Sequence, residues 1–227
     1  MNDSKMEVKR VNKKTCEIIV SNKHYSRTLG IFWDGFGLYK DDVLIGVCCF
    51  GQPSPAIQKH AFKNRDFKLY ELTRLVIDSG HKNAASFLIS SSMKMLKEKQ
   101  CALISYADSA HGHSGIVYQS TNWLYTGSTV SHDSLYLIDG KPTHPMTIRD
   151  KFGVTEIANW AKQNKISKIK PSPKHRYFFF KGSKFEKKKM LESLSYKVID
   201  EYPKSEKTTY NSGDLSCAEY YSLYHKS

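Results

Sequence analysis

LYELTRLVID (residues 69–78), NAASFLISSSMKML (83–96) and ALISY (102–106) follow one another along the chain. The first stretch is rich in β-branched and apolar residues and reads as a buried strand. In the second, Ala85, Leu88, Ile89, Ser92 and Leu96 recur at helical spacing. Asn83 stands where an N-cap belongs, and Lys94, Lys97 and Lys99 suit the negative end of the helix dipole. The third stretch is again a strand. Working outward, Gly30–Tyr39 and Val43–Phe50 predict an antiparallel hairpin turning at Asp41-Asp42. Glu17–Val20 reads as a strand or a helix end, Ser21–Arg27 as a loop, and Gln52–Arg65 as a Pro-containing loop. Downstream, the Gly-rich loop ADSAHGHSG (107–115) leads into a short helix over 116–121 and a strand over 123–127. Ile148–Lys162 predicts one more helix. Alternation of strands and helices behind a hairpin gives an α/β fold with a mixed sheet.

The 227 residues suffice to bury a core, and the net charge of +13 (35 Lys and Arg against 22 Asp and Glu) points to a polyanionic partner, nucleic acid above all. The alternative is a basic surface kept for solubility. The charge concentrates between residues 161 and 190, where 11 Lys and Arg meet only Glu186 and aromatics interleave at Tyr177–Phe180. This basic, aromatic part extends to about residue 205, and residues 206–227 read as a peripheral polar tail. The longest apolar run, Val43–Phe50, is too short to cross a bilayer, and no apolar signal-peptide core follows Met1–Lys14. Cys16, Cys48, Cys49, Cys101 and Cys217 form no CxxC, so the expectation is reduced, buried thiols in a cytosolic protein, with Cys48 and Cys49 on opposite faces of one strand.

Several residues can carry chemistry. Asp108 closes a strand at the end where α/β sheets place their sites, and Tyr118 follows on the next helix. A carboxylate and a phenol there form a general base and acid pair, or an Asp that caps its loop and a Tyr that packs. His111 and His113 beside Asp108 could bind a metal, or His113 could cap the helix or orient Asp108. His24, in the loop His24-Tyr25-Ser26, could act as a base or stay solvated. Glu71 and Arg74, three apart on a strand, are expected on opposite faces, with Arg74 suited to a phosphate or to an internal ion pair. Ser79–Ser86 runs from strand to helix N-terminus, a place for an anion, and Lys82 adds charge. Lys174, Arg176, Lys187, Lys188 and Lys189 lie in the basic aromatic stretch His175–Lys189 or at its edge and are the expected DNA contacts; a strand with a solvated Lys rim is the alternative.

Four stretches together resemble the Mom family of phage DNA-modification proteins: HYS (24–26), ELTRL (71–75), KNAAS (82–86) and SYAD…GHSGIVYQSTNWLYTG (105–127). The RYFFF strand and Tyr202-Pro203-Lys204 are similar to that family's C-terminal part. The resemblance spans roughly residues 20–205 and implies a single domain over 1–227 with a fold like the GCN5-related N-acetyltransferases, a mixed but mostly antiparallel sheet flanked by helices. It implies a transferase acting on the exocyclic N6 of adenine in double-stranded DNA. The product carries a carbamoylmethyl, glycinamide-like group that protects against host restriction. By resemblance Asp108, Tyr118, His24 and Tyr25 are catalytic, and Arg74 and Ser86, with Lys82 and Asn83, hold the donor. An iron ion is associated with the family, and its expected ligands here are His24, Tyr25 and Asp108.

The donor implied is acyl-CoA. Yet the pyrophosphate loop of such transferases has the form Gln/Arg-x-x-Gly-x-Gly/Ala, and Gly80-His81-Lys82-Asn83-Ala84-Ala85 lacks the second Gly. A side chain there hinders backbone approach to a pyrophosphate, which leaves another activated glycyl or acyl donor open. The expected setting is the cytoplasm of a bacterial host cell, with DNA and a second copy of the chain as partners and no membrane. Two alternatives stay open: an acyl-CoA-dependent N-acyltransferase for a small amine or a protein, and a non-catalytic DNA-binding protein on a transferase fold.

Overall fold

A computed structural model describes residues 5–129, 134–204 and 215–225. In chain order the elements are β1 (Met6–Arg10), α1 (Lys13–Lys23), β2 (Asp34–Lys40), β3 (Val43–Gly51), α2 (Pro55–His60), β4 (Lys68–Ile77), α3 (Ala84–Met95), β5 (Cys101–Asp108), α4 (Ile116–Gln119) and β6 (Leu124–Ser128). Then follow β7 (Leu135–Ile138), β8 (Lys141–Thr143), α5 (Pro145–Phe152), α6 (Ile157–Gln163), β9 (Lys168–Ile169), β10 (Lys174–Lys181), α7 (Lys184–Ser193) and α8 (Cys217–His225).

Among the described residues a seven-stranded sheet runs in the order β1-β2-β3-β4-β5-β10-β6, and a three-stranded sheet in the order β8-β7-β9. Every pairing is antiparallel except β4 with β5. The expected mixed, mostly antiparallel sheet flanked by helices is what forms. The β2–β3 hairpin turns at Asp41 and Asp42, both with positive φ (49° and 62°), the geometry of a tight turn whose twist matches that of the strands.

Two helical layers cover the large sheet. On one face Leu88, Ile89 and Met93 of α3 pack on Phe36, Phe50, Leu72 and Leu103. On the other, Cys16, Ile19 and Val20 of α1 pack on Val47 and Cys49, and Met190 of α7 packs on Ile104, Phe178 and Phe180. Cys48 and Cys49 enter different clusters, as strand alternation requires, and all five cysteines are buried and free.

Some local readings change. Glu17–Val20 belongs to α1, which Asn12 caps by accepting the Thr15 N–H at 2.8 Å. The loop over 52–65 contains α2, started by Pro55 behind the cap Ser54. The helix expected over 148–162 is two helices, because Gly153 takes the left-handed conformation (φ 65°) and its N–H closes α5 on the Arg149 carbonyl. Asn83 stands at the N-cap of α3, its carbonyl accepting the Phe87 N–H at 2.9 Å, but it sits at φ 60° and its side chain makes no capping hydrogen bond. Part of the expected polar tail forms α8, whose Cys217 is fully buried against α1 and β3; the rest, residues 205–214 and 226–227, lies outside the described residues. No described helix is long and apolar enough to cross a membrane.

Candidate active site

The parallel pair sets the site. β4 and β5 are in register only from Lys68/Cys101 to Glu71/Ile104, and beyond that point they part. Ser105 stands at the parting, donating to the Leu72 carbonyl at 2.9 Å and lying 2.8 Å from the Tyr118 hydroxyl. A cavity of about 620 Å³ opens there, within the range of small-molecule sites. The start of α3 (Asn83, Ala85, Ser86), Tyr106, Tyr118 and the pair His24 and Tyr25 line it.

The α3 end of this cavity suits an anion. First-turn N–H groups of a helix have no intrahelical acceptor, and the Asn83 side chain caps none of them. Ser86 Oγ donates to the Asn83 carbonyl at 3.0 Å, which fixes the turn. Lys82 is exposed and does not line the cavity.

At the other end an ionisable cluster forms. The Tyr25 ring lies tilted against both His24 (centroids 4.3 Å apart, planes at 31°) and His111 (4.0 Å, 32°), with His113 edge-on 5.9 Å away. The HYS sequence folds back on itself: His24 Nδ1 accepts the Ser26 N–H at 3.1 Å and lies 2.8 Å from Ser26 Oγ. That acceptor role leaves the proton of the neutral ring on Nε2. Burial, then the charges of Arg74, His113 and His111, pushes His24 down to about 3, so the ring is neutral near pH 7. Burial likewise lowers His113, with His111 adding to the effect and Asp108 opposing it.

Asp108 is buried at the end of β5. Its Oδ1 accepts the Ala110 N–H at 3.0 Å and its Oδ2 lies 3.4 Å from Lys174 Nζ. It therefore caps its loop while remaining beside the cluster. Tyr118 is buried on the far side of the parting, and burial raises its phenol well above the usual range against the opposing Ser105 hydrogen bond. Among the described residues no hydrogen bond joins Asp108 to Tyr118; the cavity lies between their elements.

Arg74 sits beside Tyr25 but spends Nε on the Thr28 carbonyl (2.7 Å) and Nη1 on the Thr73 carbonyl (2.6 Å). It fixes the loop that carries His24 and Tyr25. Glu71 does not face away from it, as three-residue spacing implies. Arg74 opposes Cys49 while Leu72 opposes Phe50, so Thr73 is an extra residue in the ladder and returns Arg74 to the Glu71 face. Burial pushes the Glu71 carboxyl up to about 7, against the pull of Arg74 and Lys174. Sequence reasoning missed Ser105 and Tyr106; the alternation of SYAD along β5, with Ser105 on one face and Tyr106 and Asp108 on the other, was the available signal.

Iron does not fit this arrangement as read. Among the described residues no group of three or more His, Cys, Asp or Glu side chains is placed to hold a metal ion. His24 Nδ1 is already occupied by Ser26, and Asp108 by Ala110 and Lys174.

The expected DNA contacts divide. Lys174 is drawn to Asp108. Arg176 is structural: it donates to Thr126 Oγ1 (3.0 Å) and the Thr126 carbonyl (2.8 Å) and lies 3.5 Å over the Tyr196 ring. Lys187, Lys188 and Lys189 sit on α7, beyond the Lys181 end of β10, whereas Asp108 pairs at its Lys174 end. Eight extended residues put these ends about 23 Å apart. Lys188 pairs with Glu192 (3.8 Å) and Lys189 with Asp66 (2.9 Å).

The Mom protein family matches residues 5–204 of the chain. The methylcarbamoylase mom of Escherichia phage Mu is 25% identical over 209 residues, covering 88% of this chain and 84% of that one. Among solved structures, Arabidopsis thaliana Naa50 in complex with a bisubstrate analogue aligns at a TM-score of 0.46 and 10% identity, covering 77% of this chain and 97% of that one. A probable acetyltransferase from Staphylococcus epidermidis aligns at 0.43 and 11% identity, covering 78% and 99%.

Proposed function

The chain belongs to the Mom protein family, and from that premise we propose that it is a transferase modifying the exocyclic N6 of adenine in double-stranded DNA. The group added is of carbamoylmethyl, glycinamide type, and it shields the DNA from host restriction enzymes. The observation that carries the reading is the meeting, where β4 and β5 part, of an anion-suited cavity with the His24, Tyr25, His111 and Asp108 cluster. The relative from phage Mu is a methylcarbamoylase, and the +13 charge suits a polyanionic substrate.

The donor, acyl-CoA or another activated glycyl or acyl compound, would present the carbon that N6 attacks, and the bond from that carbon to its leaving group breaks as the N6–C bond forms. For a carbamoylmethyl product that carbon is the methylene of the transferred group, because attack at an acyl carbonyl leaves an amide. The uncapped first turn of α3, with Asn83, Ala85 and Ser86, fits its anionic part. Adenine N6 is a weak nucleophile, because its lone pair is delocalised into the ring, and it must lose a proton as its new bond forms. Asp108, with Lys174 Nζ 3.4 Å from its Oδ2, takes that proton. Tyr118, a phenol that burial keeps protonated and that lines the cavity, returns a proton to the leaving group, and Ser105 holds its hydroxyl in place. His24 offers an Nε2–H donor rather than a base, and Tyr25, held against His24 and His111, completes that wall of the cavity.

The test is mass spectrometry of nucleosides from plasmid DNA recovered from cells expressing the chain, beside an Asp108→Asn control. A modified deoxyadenosine that the control lacks is the expected result. Unmodified DNA from soluble, folded protein overturns the reading, and acylation of a small amine without DNA puts an acyl-CoA transferase in its place.

A further inference from the structure

Residues 135–169 form a unit of their own. Three short strands, β8-β7-β9, pack with α5 and α6 around Tyr136, Ile148, Ile157 and Ala161, flanked by Ile138, Val154, Trp160 and Ile166. This core shares no residue with the three clusters of the large sheet. The unit is inserted between β6 and β10, which are neighbours in the large sheet.

Its point of attachment matters. The chain leaves at Thr129 and returns at Lys174, where Thr129 N–H donates to the Lys174 carbonyl (2.8 Å) and Lys174 N–H to Thr129 Oγ1 (3.0 Å). Lys174 is opposite Asp108 in the ladder, and Ser109 Oγ donates to the Pro173 carbonyl. Both connections therefore spring from the rim of the candidate site.

Its net charge is positive. Arg149, Lys151, Lys162, Lys165, Lys168 and Lys170 are all exposed, and among the described residues none makes an ion pair. Over residues 135–170 seven Lys and Arg face three acids, Asp139, Asp150 and Glu156. Lys162, Lys165, Lys168 and Lys170 follow in close succession from the end of α6 into β9. The α7 lysines contrast, since Lys188 and Lys189 are already paired to acids.

We propose that the inserted unit is the DNA-gripping module of this protein, laying Lys162, Lys165, Lys168 and Lys170 on the phosphate backbone of duplex DNA beside the adenine presented to the site. This rests on the DNA-modifying reading above. Phosphate contacts position without reading sequence, so the module sets register and affinity, and the cavity sets the chemistry.

The experiment measures binding of the full chain to a fluorescent 24-base-pair duplex across a salt series. Three proteins are compared: wild type, Lys162→Glu/Lys165→Glu/Lys168→Glu, and Lys187→Glu/Lys188→Glu/Lys189→Glu. Each phosphate contact contributes about 0.9 to the slope of log affinity against log salt. The module variant is expected to bind at least about tenfold more weakly with a slope shallower by roughly 2–3. The α7 variant is expected to stay within about threefold of wild type. A Lys→Gln triple at the same module positions, with an unchanged thermal melt, is expected to show the same loss in milder form. Wild-type binding that the module variants retain in full overturns this proposal and leaves the transferase reading standing. A wild type that binds no duplex at any salt overturns both. Loss of binding to single-stranded RNA with duplex binding intact also overturns the proposal.

Discussion

Glu71 and Arg74 lie on the same face of the sheet although three residues separate them, because Thr73 is an added residue that resets the alternation of β4. The bulge places a mostly buried carboxyl and a guanidinium at the parting of β4 and β5, next to Tyr25 and Tyr106. Arg74 is held by two backbone carbonyls and makes no ion pair with Glu71, so the carboxyl keeps the protonation that burial favours.

A pH dependence of stability follows. Glu71 is raised from 4.5 to about 7 in the folded chain, which therefore binds the proton more tightly than the unfolded chain does. Stability from this group is full below about pH 4.5, falls as pH rises and is lost above about pH 7. Glu71→Gln keeps the neutral shape without the titration. Relative to wild type it should gain roughly 1–3 kcal/mol between pH 4.5 and pH 8 in urea unfolding. An unchanged difference across that range refutes the assignment.

His24 carries the opposite sign. Its pKa falls from 6.5 to about 3 on folding, so the unfolded chain binds the proton more tightly. The penalty is absent above about pH 6.5 and grows as pH drops toward 3. His24→Asn should gain roughly 1–2 kcal/mol on wild type between pH 7.5 and pH 4.5, since a partly exposed ring is partly screened. Imidazole resonances followed by NMR provide the direct check: His24 should stay neutral at pH 5.

Tyr118 and Ser105 test the proton donor. Tyr118→Phe removes the hydroxyl while keeping the ring that packs on Trp123 and Tyr177. DNA modification should fall by about 10²–10⁴-fold, the usual worth of a positioned acid. Stability should change by only about 1 kcal/mol, the cost of one hydrogen bond. Ser105→Ala leaves the acid but frees its hydroxyl, so a smaller loss, about tenfold, is expected. Equal losses in the two variants would refute Tyr118 as the dominant proton donor.

The strand–helix–strand centre was legible in sequence because its apolar periodicities are long and unbroken: Lys68–Ile77, Ala84–Met95 and Cys101–Asp108 differ from the sequence reading by a residue or two. The hairpin was legible through Asp41-Asp42. The resemblance singled out Asp108, Tyr118, His24 and Tyr25 as candidates, and of these the chain's own periodicity marks only Asp108, at the end of a strand. Three features were hidden for physical reasons. The Thr73 bulge leaves no mark in residue type, so strand alternation misplaced Arg74. The inserted unit is built from strands of two to four residues, too short for a period. The burial of α8 depends on an acid 139 positions away, which no local pattern carries.

That distant contact gives the last prediction. Lys23 Nζ, almost fully buried, lies 2.6 Å from Asp78 Oδ1 and donates to the Leu215 carbonyl at 2.6 Å. Asp78 in turn accepts the Cys217 N–H, at 2.9 Å to Oδ2. One ion pair thus joins the end of α1, the end of β4 and the start of α8, which lies outside the residues shared with the family. Removing one partner strands the other charge in a buried place. Lys23→Met should therefore cost about 3–5 kcal/mol, and Asp78→Asn somewhat less, because an amide still accepts one of the hydrogen bonds. The double variant Lys23→Met/Asp78→Leu should recover part of that loss, since no unpaired charge remains. Limited proteolysis locates the effect: the single variants should be cut near α8 before the large sheet opens, whereas a global loss of protection would mean that the pair holds the whole fold rather than the docking of α8.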